Sequence, residues 1–245
     1  MVGYSLCESR TIPILRESFD PGEQGFQKVQ NKSCQVTLRR LRVENTMNYE
    51  LIGMREPSYY ANTLLGCMDS HGPKAKQLSE VPPCVETAFD LPGGALFVVT
   101  KLGLDLSGTP TPGVTYPNKY QDIALKWDIE DAPGVDGSIT PFLSIPSWPG
   151  CLIGDFGLVL HENRICPFLV GQEGKDSFYA SPFVFKHVEK SRIVKGVINT
   201  APMKSQSRVV IFRGSSEGKA MPTSAIYEKT QRLWEFLESF ANPVK

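Results

Sequence analysis

Apolar residues in this chain come in short or alternating runs, and clusters of Gly, Pro, Asn and Asp separate them. That is the punctuation of a β protein. In residues 34–43, CQVTLRRLRV, Cys34, Val36 and Leu38 alternate with polar positions, and then the phase slips to Leu41 and Val43, as at a β-bulge. Residues 94–106, GALFVVTKLGLDL, begin apolar on both sides, which predicts a strand covered on both faces. Residues 121–130 predict a half-buried strand, with Ile123, Leu125, Trp127 and Ile129 inward and Asp122, Lys126, Asp128 and Glu130 outward. Further strands are expected at 151–161, 164–170, 177–188, 192–200 and 207–213, so that the second half reads as a meander.

One segment follows the helical period instead. From about 224 to 241, Ile226, Leu233, Trp234, Leu237 and Phe240 recur every three to four residues behind an entry signal of Pro222 and Thr223 or Ser224, and Asn242-Pro243 stops the run. Prolines and glycines predict loops at 103–120 and 131–150, a surface connection at 67–83 and a linker at 213–222. The expected architecture is mainly β. It is an antiparallel barrel or sandwich with an enclosed apolar core, capped by the C-terminal amphipathic helix, in one domain spanning 1–245.

Composition narrows the functional classes. The chain carries 26 basic and 26 acidic residues, so no global field draws it to phosphate backbones or anionic lipid, and nucleic acid is not an expected partner. Arg39, Arg40 and Arg42 sit within an alternating stretch and read as a solvated strand face. No apolar run reaches the ~18 residues of a membrane span, and the first residues lack a signal-peptide pattern. Six scattered cysteines without a C-x-x-C pair read as free thiols in a reducing, cytoplasmic setting.

Candidate chemistry rests on charged residues that interrupt apolar strands. In CLIGDFGLVLHE (151–162), alternation puts Cys151, Ile153, Asp155, Gly157, Val159 and His161 on one side. If that side is buried, desolvation raises the Asp155 pKa toward the range of a general acid or base. The competing reading is that Gly154 or Gly157 marks a bulge that turns Asp155 to solvent or to backbone N–H groups. Lys101, on a face shared with Phe97, Val99 and Asp105, is a possible amine nucleophile or a strand-end lysine reaching water. His161 and His187 are too far apart in sequence to define a metal site, and no metal or cofactor is expected. Walker, dinucleotide-binding, G-x-S-x-G and H-E-x-x-H motifs are absent.

Aromatic residues crowd the second half, and Trp127, Phe156, Phe183 and Phe185 are expected to line a pocket for an apolar small molecule. The reading that follows is a small-molecule enzyme of isomerase, cyclase or lyase type, with Asp155, His161 and Lys101 as its candidate catalytic groups. The alternatives are a non-enzymatic carrier of an apolar ligand and an interaction or coat-type β protein.

Overall fold

The computed structural model describes residues 54–68, 75–107, 123–128, 134–189, 193–194, 197–198 and 202–241. All of them belong to one unit, Asn48–Lys245. The strand expected at 34–43 lies outside the described residues. In chain order the elements are α1 (Pro57–Met68), β1 (Lys76–Gln77), β2 (Val85–Asp90), a 3-10 turn (Pro92–Gly94), β3 (Ala95–Thr100), β4 (Leu102–Leu104) and β5 (Phe142–Ser144). They continue with β6 (Phe156–His161), β7 (Arg164–Gln172), β8 (Phe178–Ala180), α2 (Pro182–Val188), β9 (Ile193–Val194), β10 (Val197–Ile198), β11 (Ser207–Phe212) and α3 (Thr223–Ala241).

Nine strands form one sheet in the order β1-β2-β3-β11-β6-β7-β5-β8-β4, and β9 and β10 pair separately. The sheet is mixed, because β4 pairs with β8 and β5 with β7 in parallel while the other ladders run antiparallel. This corrects the expectation of a purely antiparallel sheet and of a simple meander. The hydrogen-bonded ladder does not close, although β4 follows β3 after Lys101 alone. One stretch of chain, bent at Lys101, therefore supplies both the third strand and the far edge.

The central strands are buried on both faces, as the unbroken apolar runs require: every residue of β6 is buried. On the inner face, matched rows such as Val98–Val209–Val159–Cys166 pack into a core with Leu102, Phe178 and Val184. On the other face α3 lies across β6, β7 and the 3-10 turn. Ile226, Tyr227, Thr230, Trp234 and Leu237 form its buried stripe, worth ~1.5–3 kcal/mol for each large apolar side chain. Trp234 meets Phe212 edge-on at 6.1 Å and Tyr60 of α1 at 5.0 Å.

Two helices depart from the sequence expectation. Tyr60, Leu64 and Cys67 put a helical stripe on α1, which packs on α3 and overlaps the expected surface connection only at Cys67 and Met68. The strand expected over 177–188 ends at Ala180, because the Ser181 side chain accepts the Val184 N–H and Pro182 occupies the first turn of α2. Residues 123–128 form no ladder, yet their alternation survives: Ile123 and Leu125 are buried while Lys126 and Asp128 are exposed. Separate contacts, such as Leu125 N–H to Gly171 O at 3.0 Å and the Asp128–Lys219 ion pair at 3.0 Å, hold this segment to its described neighbours.

Candidate functional site

The segment before β6 is a turn rather than strand, with Gly154 at φ 88°. A Cβ there would be strained by that φ and would stand 2.5 Å from Ser216 Oγ. The turn aims the Asp155 carboxylate at backbone donors. Oδ2 accepts the N–H of Leu152 at 2.8 Å and of Gly214 at 3.2 Å, and Oδ1 accepts the N–H of Ser216 at 2.9 Å. Burial pushes this carboxyl above its ordinary range, and the N–H donors pull it back. Asp155 is fully buried and lines neither of the grooves described below. It joins the turn before β6 to the turn after β11.

Lys101 stands at the β3–β4 bend with its side chain exposed. It lines an open groove of about 470 Å³ together with Cys84, Glu86, Thr100, Tyr179 and Gln206. Tyr179 lies across Gly103, where a Cβ would come within 2.6 Å of its ring, so glycine is what lets the phenol cover the strand. A smaller groove of about 250 Å³, lined by Asp105, Lys175 and Asp176, adjoins it through Tyr179. Asp105 accepts the Ser107 N–H at 2.8 Å and the Ser144 hydroxyl, and the Lys101 ammonium has no ion-pair or hydrogen-bond partner among the described residues.

His161 ends β6 on the inner face. Thr100 pairs with Ser207, and His161 with Arg164, so a polar row follows the apolar row of Val98, Val209 and Val159. The imidazole is 2% exposed. Its Nδ1 lies 2.8 Å from the buried Ser207 Oγ, and its Nε2 lies 3.3 Å from Oγ of the exposed Ser205. Ser207 Oγ in turn lies 3.5 Å from Met203 Sδ, and Ser205 Oγ lies 3.4 Å from Glu162 Oε1. Glu162 holds φ 51°, the left-handed backbone that a two-residue hairpin turn demands at its first position. Pro202 and Gln206, on either side of Ser205 in the chain, belong to the Lys101 groove.

No family model matches this chain, and no curated protein does.

The sequence candidates thus separate into three places. His161 and Lys101 lie on neighbouring parts of one sheet end, linked through Ser207 and Thr100, whereas Asp155 lies elsewhere among backbone donors. The four aromatic candidates do not line either groove. Phe156 is buried beneath the Lys229 ammonium, which stands 5.4 Å from the ring centroid. Phe183 stacks on His187 at 4.0 Å, Phe185 belongs to the inner core, and Trp127 is half-buried.

The described residues contain no group of three or more His, Cys, Asp or Glu arranged for a metal ion. They contain no helix long and apolar enough to cross a membrane. Cys67, Cys84, Cys151 and Cys166 are free thiols, and burial pushes Cys151 up to about 12 and Cys67 up to about 11. Such thiols are poor nucleophiles.

Ser205 and Ser207 were missing from the sequence candidates although a signal exists. Ser207 stands in phase with Val209 and Ile211 on β11, a hydroxyl at a core-facing position.

Proposed function

We propose that this chain is an enzyme that performs acid–base chemistry on a small molecule bound in the groove at the β3–β4 bend. His161 is the base, and Lys101 is the cationic anchor. One observation carries the reading: a buried imidazole has one nitrogen bonded to a buried hydroxyl and the other to a solvent-facing one, beside a groove that holds a free amine. That is how a proton acceptor is oriented and given access to a reacting group.

The groove is open and carries an amine, a phenol, a thiol and a carboxylate. This lining favours a small polar or anionic molecule over the apolar ligand expected from the aromatic content. A hydrophobic carrier is correspondingly less well supported. We place the protein in a reducing compartment such as the cytoplasm, a reading supported by the four free thiols.

The test begins with binding. Small carboxylates, esters and carbonyl compounds are titrated into isotope-labelled protein, and the expected result is chemical-shift change centred on Thr100, Lys101, Tyr179 and Gln206. Compounds that bind are then assayed for turnover, which His161→Gln should reduce by about 10²- to 10⁴-fold, the range of general acid–base catalysis. Binding confined to another surface, or turnover unchanged in His161→Gln, would overturn the proposal.

A further inference from the structure

The hydrogen bonds around His161 favour one placement of its protons. Met203 Sδ has no hydrogen to donate, so the contact with Ser207 is made by the Ser207 hydroxyl proton. A serine has one such proton. With it directed at sulfur, Ser207 Oγ meets His161 as an acceptor, and Nδ1 carries the hydrogen of their 2.8 Å bond. The neutral ring then has a lone pair at Nε2, which faces Ser205. Ser205 carries one hydrogen, which stands between two acceptors, Nε2 of His161 at 3.3 Å and the Glu162 carboxylate at 3.4 Å. Buried Ser207 holds the ring, His161 presents a lone pair, and an exposed hydroxyl stands before it. These are the orienter, base and nucleophile of an activated serine.

We propose that Ser205 is a nucleophile for acyl transfer, with His161 as its general base and Ser207 and Met203 as positioning residues, acting on small esters or thioesters. The proposal rests on the acid–base reading above and names its reaction. Ser205 Oγ forms a bond to the acyl carbon while its proton passes to His161 Nε2. The bond from that carbon to the alkoxy oxygen or thiolate sulfur breaks, and the leaving group takes the proton from Nε2. Water then adds to the acyl-serine, gives a proton to Nε2, and the acid is released as Ser205 recovers its hydrogen.

Glu162 Oε1 accepts from Ser205 Oγ at 3.4 Å, a long bond that gives way as the proton passes to Nε2. The 3.3 Å separation between Ser205 and His161 is within what catalytic pairs show before substrate binds. The loop carrying Ser205 forms one wall of the Lys101 groove, so the rest of the substrate meets the Tyr179 ring and the free ammonium.

The experiment uses the full chain and a fluorophosphonate, which phosphonylates an activated serine with loss of fluoride. Intact-mass and peptide analysis should find a single adduct on Ser205. Ser205→Ala, at an exposed position, should keep the thermal midpoint and lose the adduct. His161→Gln should slow labelling by about 10²-fold or more, and Met203→Leu should slow it while the adduct still forms on Ser205. A folded wild-type protein that is unlabelled, or labelled on another residue, overturns the nucleophile. If His161-dependent turnover of a groove-bound compound persists in that case, the acid–base reading stands without it. Labelling and turnover that are both indifferent to His161→Gln overturn both.

Discussion

The carboxylate of Asp155 accepts the backbone N–H of Ser216 at 2.9 Å, a bond across 61 residues of chain. It ties the turn that enters β6 to the turn that leaves β11, and the N–H groups of Leu152 and Gly214 complete the clasp. Asn at this position keeps one acceptor oxygen and turns an NH₂ toward a backbone donor, so Asp155→Asn loses part of the clasp and leaves an N–H buried. Hydrogen bonds to charged groups are worth about 1.5–3 kcal/mol, and a loss of about 3 kcal/mol is expected. Urea unfolding should give a lower midpoint with an unchanged slope. An unchanged midpoint would remove the structural role.

Gly157 lies on β6 where a Cβ would stand 2.3 Å from the Phe168 ring and 2.5 Å from the backbone oxygen of Val210. The ring can shift, but the oxygen belongs to the β6–β11 ladder and cannot without disturbing it. Gly157→Ala should cost at least the ~1–3 kcal/mol of an overpacked core. Thermal unfolding measures this, and a variant as stable as the parent would mean that the two strands lie further apart than described.

Much of the sheet was legible because burial on one or both faces writes itself into apolar periodicity. β6 and β11 fall within the expected strands, β7 runs two residues past its expected end at 170, and α3 begins one residue before its expected start. Legibility stopped where a local backbone signal overrode the run. Ser181-Pro182 begins a helix inside an apolar stretch, and alternation alone reads that stretch as strand. Gly154 breaks the phase that would have pointed Asp155 along with Val159, which is the bulge alternative noted beside the buried-acid reading. His161 kept its phase because β6 is regular up to its last residue. The partners of His161 were illegible for another reason: 44 and 46 residues separate it from Ser205 and Ser207, and only strand pairing brings them together.

His187 gives a pH dependence with a definite sign. It stacks on Phe183, its Nδ1–H donates to Phe183 O at 2.8 Å, and burial holds its pKa below the ordinary 6.5. The folded state disfavours the charged ring, so below about 6.5 the unfolded chain binds the proton more readily. The contribution of His187 to stability is complete above that pH and is lost as pH falls through the lower, folded-state value. Thermal midpoints measured downward from neutral pH should fall less steeply in His187→Gln than in the parent. Equal slopes would exclude His187 from the acid sensitivity.

The central claim is that His161 offers an unprotonated Nε2 to Ser205, and it can be tested without a substrate. Long-range proton–nitrogen correlation spectra of the imidazole, recorded at mildly alkaline pH and assigned by comparison with His161→Gln, report which nitrogen carries hydrogen. The hydrogen bonds from Nδ1 to Ser207 and from Ser207 to Met203 predict a protonated Nδ1 and a bare Nε2. A neutral ring with its hydrogen on Nε2 would make Ser205 an acceptor and would contradict the account.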